Sequence, residues 1–136
     1  MAKTATEKLN QKKQPKKVVL EKDFAGIKAG QRMLVGTPKM VDDYIRKVPA
    51  GETRTMPRLR RDLARRNRCD ATCPVSTAIF VRIAAEAALE ALEGGASASD
   101  VTPFWRVVGP EDKIAKKLPV DSEWISHQRA SESLQP

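Results

Sequence analysis

Cysteine, histidine and aromatic residues are scarce in this sequence. Its 136 residues include two cysteines, one histidine and 4% aromatic residues. Two cysteines cannot build a disulfide framework, so we expect a reducing, cytoplasmic compartment. A tetrahedral zinc site needs four ligands, and Cys69, Cys73 and His127 are too few soft ligands to supply them. The sequence therefore predicts no metal and no other cofactor.

Long apolar runs are missing as well. No stretch approaches the roughly 18 consecutive apolar residues of a membrane-spanning helix. The lysine-rich N-terminus lacks the apolar segment of a secretory signal. We therefore expect no membrane partner, and a cytoplasmic protein that could associate with the nucleoid.

Acidic residues are outnumbered by basic ones. The chain has 25 Lys and Arg against 17 Asp and Glu, which gives a formal net charge of +8 and an isoelectric point near 9.8. This balance favours anionic partners, either nucleic acid or an acidic membrane surface. Charge alone does not separate these partners from a soluble basic protein that has no anionic partner.

Composition divides the chain into four segments. Residues 1–17 carry six lysines against Glu7 and few apolar residues, which predicts a disordered basic tail. Residues 18–36 contain three glycines and are interpreted as an irregular lead-in with one short strand. We expect an ordered domain over residues 37–130 and a frayed C-terminus over residues 131–136.

Capping residues mark the first two helices of this domain. Thr37 is a candidate N-cap, Pro38 suits the first helical position, and the apolar spacing continues to Val48. Thr53 or Thr55 can cap the next helix, and Leu59 and Leu63, four residues apart, are predicted to face the core.

Arginine dominates the rest of that second helix. Seven arginines fall between residues 54 and 68, opposed there by Asp62 alone. The guanidinium group binds phosphate in a bidentate fashion, so the helix predicts contact with a nucleic-acid backbone. A solvated charged helix is the alternative. The predicted DNA contacts are Arg58, Arg60, Arg61, Arg65, Arg66 and Arg68.

A long apolar helix is predicted from about Pro74 to Glu93, capped by Thr72 or Cys73 and ended by Gly94-Gly95. Its spacing indicates a buried ridge of Val75, Ile79, Ile83 and Ala87. The first turn of a recognition helix approaches base edges or phosphates. The predicted DNA contacts in this helix are Ser76, Thr77 and Arg82.

The order of these segments resembles a known family. Val48-Pro49-Ala50-Gly51-Glu52-Thr53 precedes the two helices, and Pro103-Phe104-Trp105-Arg106-Val107-Val108-Gly109 and Glu123-Trp124-Ile125 follow them. Over about residues 38–130 the chain is similar to the C-terminal DNA-binding domain of the O6-alkylguanine-DNA alkyltransferases and to their cysteine-less relatives, the alkyltransferase-like proteins. The resemblance implies a mainly α, winged-helix-like helix-turn-helix domain with a short strand or wing.

The chain departs from that family at its reactive residues. The family motif is Pro-Cys-His-Arg-Val, and Phe104 and Trp105 stand at the cysteine and histidine positions. Neither side chain offers a nucleophile or a transferable proton, so we expect no alkyl transfer. The predicted vestigial pocket consists of Met56, Phe104, Trp105 and Arg106. The family's glutamate aligns near Arg129.

The DNA-reading residues of the family depart too. Its tyrosine aligns with Met56, and its arginine wedge, which replaces a flipped base, aligns near Ala78. Arg82 lies one turn further on and is a candidate substitute. The sequence thus predicts a catalytically inactive alkyltransferase-like protein that binds double-stranded DNA, with a role in DNA repair or damage sensing. The alternative is a protein-interaction module that presents the apolar helix or the Phe104–Trp105 loop. Residual enzyme activity is the third hypothesis.

Overall fold

The computed structural model describes residues 4–133, and of Ser133 only the backbone. Over this range the chain is mostly helical and carries a small three-stranded sheet, which confirms the predicted mainly α class. None of the helices in the described range combines the length and apolarity needed to cross a membrane. The elements, in order, are α1 (Ala5–Leu9), β1 (Lys16–Val19), β2 (Arg32–Val35), α2 (Pro38–Arg46), α3 (Met56–Arg66), β3 (Ala71–Thr72), α4 (Pro74–Glu93) and α5 (Ser122–Ser133).

Helices α2, α3 and α4 begin at the predicted capping residues. The Thr37 hydroxyl accepts a hydrogen bond from the Met40 N–H at 3.1 Å, and the Thr55 hydroxyl accepts one from the Arg58 N–H at 3.2 Å. The cap of α4 is Cys73, which makes no side-chain capping bond. Local side-chain chemistry therefore fixes where α2 and α3 start.

The main core lies between α2, α3, α4 and the segment after residue 100. Leu59 and Leu63 of α3 are buried in it, as predicted, together with Val81 of α4. Alanines on one side of α4, among them Ala84 and Ala85, are fully buried in the same cluster and allow close helix packing. The core thus depends on a small-residue face of α4.

The sheet connects the N-terminal segment to the turn between α3 and α4. Strand β2 pairs antiparallel with β1 and parallel with β3, with Met33 opposite Ala71 and Leu34 opposite Thr72. The Cys73 N–H donates to the Leu34 carbonyl oxygen at 2.9 Å. The lead-in, predicted to hold one short strand, therefore contributes to two strands, one before Gly26 and one after Gly30, and sets the position of the α3–α4 turn.

The prediction of a disordered tail over residues 1–17 is wrong within the described range. Residues 5–9 form α1, and residues 16 and 17 belong to β1. Ala5 and Leu9 pack against Ala87 of α4, and the Glu90 carboxylate accepts hydrogen bonds from the Ala5 and Thr6 N–H groups, each at 2.9 Å. These hydrogen bonds join positions more than 80 residues apart. The lysine content of the N-terminal segment, on which the prediction of disorder is based, contains no information about such contacts. Residues 1–3 lie outside the described range.

The predicted fraying from residue 131 is also corrected. Helix α5 continues to Ser133, and Glu132 makes half-buried hydrogen bonds with the loop around residue 105. Residues 134–136 lie outside the described range. The C-terminal turn of α5 is therefore part of the domain's packing.

Candidate nucleic-acid interface

Helix α3 presents its arginines to solvent on one broad face. Arg58, Arg61 and Arg65 are exposed and follow the spacing i, i+3, i+7, which places them on the same side of a helix. Leu59, Leu63 and Ala64 are buried on the opposite side and hold the helix to the core. Of the other arginines predicted to contact DNA, Arg66 and Arg68 are exposed, and Arg60 is half-buried.

One carboxylate lies among these arginines. Asp62 is 3.7 Å from Arg58 and accepts a hydrogen bond from the Tyr44 hydroxyl at 2.6 Å. That hydrogen bond, with the charges of Arg58 and nearby arginines, holds the pKa of Asp62 below its ordinary value although burial opposes the shift. Burial and the same bond to Asp62 raise the pKa of Tyr44 to about 12. The Tyr44 hydroxyl thus keeps its proton, donates a hydrogen bond to Asp62 and remains neutral through the physiological range.

The remaining arginines are not neutralised by the protein's own carboxylates. In the described part of the chain, Arg60, Arg61, Arg65, Arg66 and Arg68 form no ion pair. The Arg66 guanidinium lies over the Tyr44 ring, 5.0 Å from its centroid, which positions the group without cancelling its charge. Helix α3 therefore carries a positive field that an external anion can enter.

The first turns of α4 face differently from the predicted orientation. Thr77 is buried, and its hydroxyl donates to the Cys73 carbonyl oxygen at 2.6 Å, so it cannot contact DNA. Ser76 is half-buried, and its enclosed hydroxyl oxygen finds no hydrogen-bond partner among the described residues. Val75 and Ile79, predicted to be buried, are 55% and 53% exposed. Most of α4 is apolar, so its hydrophobic periodicity does not show which face is buried. In the structure the buried face is the one with the small alanines.

Arg82 is exposed one turn beyond Ile79. Its Nε lies 3.3 Å from the Glu86 carboxylate, four residues along the helix, and the two side chains form an ion pair. Ala78, at the position aligned with the family's wedge, is half-buried. The exposed face of this half of α4 therefore consists of two branched apolar side chains and one paired arginine.

The loop after α4 buries its aromatic residues. Phe104 is fully buried and Trp105 is 2% exposed. The Phe104 ring stacks on Trp124 of α5 at a centroid distance of 5.7 Å, and Trp105 meets both rings edge to face. Such aromatic contacts add to the burial of apolar area. Two members of the predicted vestigial pocket, Phe104 and Trp105, are thus core residues and do not line an open cavity.

Glu132 fastens this loop to α5, a role that sequence reasoning missed. Its carboxylate accepts hydrogen bonds from the Trp105 indole N–H at 3.0 Å and from the Arg106 Nη2 at 2.7 Å. Arg106 also donates to the Val48 carbonyl oxygen at 2.7 Å. Burial alone would raise the pKa of Glu132, but the hydrogen bonds from Arg106 and Trp105 hold it below its ordinary value. Arg106, the fourth predicted pocket residue, is therefore a structural ion-pair partner.

Met56, the remaining predicted pocket residue, borders an open space. A cavity of about 360 Å³ lies between the start of α3 and the loop, lined in part by Met56, Val107 and Arg129. The Arg129 Nε donates to the Trp105 carbonyl oxygen at 2.6 Å. Burial lowers the pKa of Arg129, which the charge of Asp112 partly offsets. The cavity therefore has an apolar wall and a half-buried guanidinium group.

The two thiols lie away from this cavity. Cys69 is half-buried and Cys73 buried in the turn between α3 and α4, whereas the cavity borders the other end of α3. Among the described residues, no group of three or more His, Cys, Asp or Glu side chains is placed to hold a metal ion. The arrangement offers cationic and apolar contacts and no paired acid and nucleophile.

Comparison with known proteins adds no assignment. No family model, no curated protein and no solved structure matches this chain.

Proposed function

We propose that this protein is a catalytically inactive, alkyltransferase-like protein that binds double-stranded DNA through α3. The observation that carries the proposal is the exposed arginine face of that helix, where Asp62 is the only carboxylate. The finer fold assignment, a winged-helix-like helix-turn-helix domain of the alkyltransferase type, is part of the same proposal.

The spacing of the arginines suits a nucleic-acid backbone. Arg58, Arg61 and Arg65 extend over about 10 Å of helix axis, since each residue rises about 1.5 Å. Phosphates along one DNA strand rise about 3.4 Å each, so this face can meet several of them. Arg68 extends the positive surface beyond the end of α3. Contacts of this kind position a protein on DNA and carry no sequence information.

The absence of a reactive group at the loop supports an inactive protein. Phe104 and Trp105 occupy the positions that the resemblance assigns to cysteine and histidine, and both are buried. The carboxylate that contacts Trp105 belongs to Glu132. The family's glutamate aligns near a different residue, Arg129. The indole N–H donates a hydrogen bond to Glu132 but does not release its proton at physiological pH, so this contact positions the loop and does not support acid–base catalysis.

A link to DNA repair or damage sensing rests on the resemblance. Base flipping requires a few kcal/mol of unstacking, which a wedge residue offsets in the family. Here Ala78 is small, and Arg82 is paired with Glu86. We therefore assign α3 to phosphate contact and expect little preference for a damaged base.

The experiment is a binding titration with a labelled duplex at about 50 and 200 mM salt. We expect binding at low salt that weakens steeply at high salt, with similar affinities for a plain duplex and one that contains O6-methylguanine. A protein that does not bind the duplex even at the lower salt concentration would rule the proposal out. A strong preference for the modified duplex would support damage sensing and contradict simple backbone binding.

A further inference from the structure

The solvent face of α4 is divided into two halves of different charge. Glu86, Glu90 and Glu93 lie in the C-terminal half, and Arg82 lies in the N-terminal half. The C-terminal half receives α1. There the Glu90 carboxylate accepts hydrogen bonds from the Thr6 hydroxyl at 2.6 Å and from the N–H groups at the start of α1. These bonds hold the pKa of Glu90 below its ordinary value.

The contact with α1 shows how α4 accepts a short helix. Ala5 and Leu9, spaced i and i+4, insert against Ala87 and the half-buried Ile83. Lys8, between them, borders a cavity with Glu86, Glu90 and Glu93. A short helix with two apolar anchors, one glutamate and one lysine therefore covers the acidic half, in the manner of an amphipathic helix in a groove.

A second groove lies beside this contact, towards the N-terminal half of α4, and no described residue covers it. A space of about 540 Å³ lies between α4 and the turn at Ala115–Lys117, with Ile79, Ile83 and Ile114 on its apolar walls. Its charged lining consists of Lys8, Arg82 and Lys117 against Glu86 alone. The groove thus pairs apolar walls with a positive rim.

We propose that this groove, formed by Ile79, Ile83, Ile114, Lys8, Arg82 and Lys117, binds a short acidic amphipathic helix of a partner protein. The apolar side of such a helix would cover the isoleucines, and its carboxylates would face the positive rim. At the α1 contact the charge of α4 is the reverse, since the Glu90 carboxylate there accepts hydrogen bonds from the N–H groups at the start of α1. The surface is distinct from the arginine face of α3, none of whose residues line the groove.

Two other occupants fit less well. A second copy of this chain would bring a net charge of +8 towards a positive rim. A DNA duplex presents phosphates, which satisfy Arg82 and Lys117 but leave the apolar side chain of Ile79 against a charged surface. Burial of apolar area needs an apolar partner, and that favours the protein helix.

The test uses the full chain and a fluorescein-labelled peptide about three turns long. The peptide carries leucines at i and i+4 spacing and glutamates at the remaining positions. A control peptide has the same composition, with the leucines spread around the helix. We expect the patterned peptide to bind at least about tenfold more tightly than the control, measured by fluorescence anisotropy. Equal binding of the two peptides would overturn the proposal.

Substitutions locate the site. Ile79→Asp should weaken peptide binding at least about tenfold, and the matched change Val19→Asp, on β1 and 60% exposed, should leave it unchanged. Both residues are on the surface, so neither change removes a core contact, and thermal unfolding verifies that both variants fold. Undiminished binding to the Ile79→Asp variant would overturn the proposal.

Charge reversal separates a protein partner from DNA. The double variant Arg82→Glu with Lys117→Glu should no longer bind the peptide that carries glutamates. It should bind a peptide with the same leucine positions in which lysines replace the glutamates. If Ile79→Asp abolishes duplex binding while neither peptide binds the wild-type protein, the groove serves DNA and the proposal is wrong. Because the peptide assay contains no DNA, its result does not depend on the proposed DNA-binding function.

Discussion

Replacing Arg58, Arg61 and Arg65 together by glutamine removes the positive face of α3 while keeping polar side chains with a good helix propensity. All three residues are exposed, so the core contacts of Leu59 and Leu63 remain intact. The change lowers the formal net charge of +8 by three. A structural effect on the fold should therefore be small, and an effect on DNA binding should be large.

The expected size follows from counterion release. The exposed arginines of α3 and its following turn are Arg58, Arg61, Arg65, Arg66 and Arg68. If each neutralises one phosphate, the slope of log K against log salt is about −4.5, and between about 50 and 200 mM salt the affinity falls about 500-fold. With two contacts left, the slope is about −1.8 and the fall is about 12-fold. The triple variant should therefore bind weakly and depend little on salt.

The assay is fluorescence anisotropy with a labelled duplex across that salt range. The matched control replaces three exposed lysines away from α3, Lys47, Lys113 and Lys116, by glutamine. This control lowers the net charge equally and should keep most of the salt dependence. If both triple variants lose the same affinity and slope, overall charge accounts for the binding, and the argument for α3 is refuted.

Three further substitutions test the roles assigned to Asp62, Glu132 and Glu90. Asp62→Asn should tighten duplex binding by about threefold, because it removes the carboxylate among the arginines; weaker binding in the same titration would contradict this role. Glu132→Gln should lower the free energy of unfolding by about 3 kcal/mol in urea denaturation, since Arg106 loses its partner. The exposed Glu123→Gln on the same helix should change it by less than about 0.5 kcal/mol, and equal effects would contradict the role of Glu132. Glu90→Gln should accelerate hydrogen exchange of the α1 amides, and unchanged protection would show that apolar packing alone holds α1.

Acid should also weaken the attachment of α1, because protonation of Glu90 weakens its hydrogen bonds to α1. The pKa of Glu90 in the folded protein lies below its ordinary value of 4.5. The contribution of Glu90 to stability is therefore complete above about pH 4.5 and is lost as the pH falls through the folded-state pKa. Hydrogen exchange of α1 at neutral and acid pH measures this loss. In the Glu90→Gln variant the pH dependence of α1 exchange protection should be weaker, and an unchanged profile would assign the acid sensitivity to other groups.

The sequence predicted the elements whose ends are set locally. Thr37 with Pro38 starts α2, and Gly94 follows the last residue of α4, because capping groups act on the backbone within one turn. The spacing of Leu59 and Leu63, four residues apart among arginines, correctly predicted the buried side of α3. These signals need no knowledge of the rest of the chain.

What the sequence missed depends on distant contacts or on an ambiguous pattern. Helix α1 is too short to be stable alone and forms against Glu90, far along the chain. Glu132 meets Arg106 across 26 positions, and only the folded loop brings them together. The orientation of α4 was wrong because nearly every side of it is apolar, so the periodicity could not show that Val75 and Ile79 remain exposed.

The parallel pairing of β2 with β3 decides what the smallest autonomous folding unit of this protein can be. Leu34 is fully buried, and its carbonyl oxygen and that of Arg32 accept hydrogen bonds from the Cys73 and Asp70 N–H groups, each at 2.9 Å. A fragment that began at Thr37, where the helical region starts, would open a hole in the core and leave two amides at the α3–α4 turn without acceptors. Chain synthesis must therefore reach the end of β3 before β2 can complete its pairing, and the lead-in is an integral part of the helical unit.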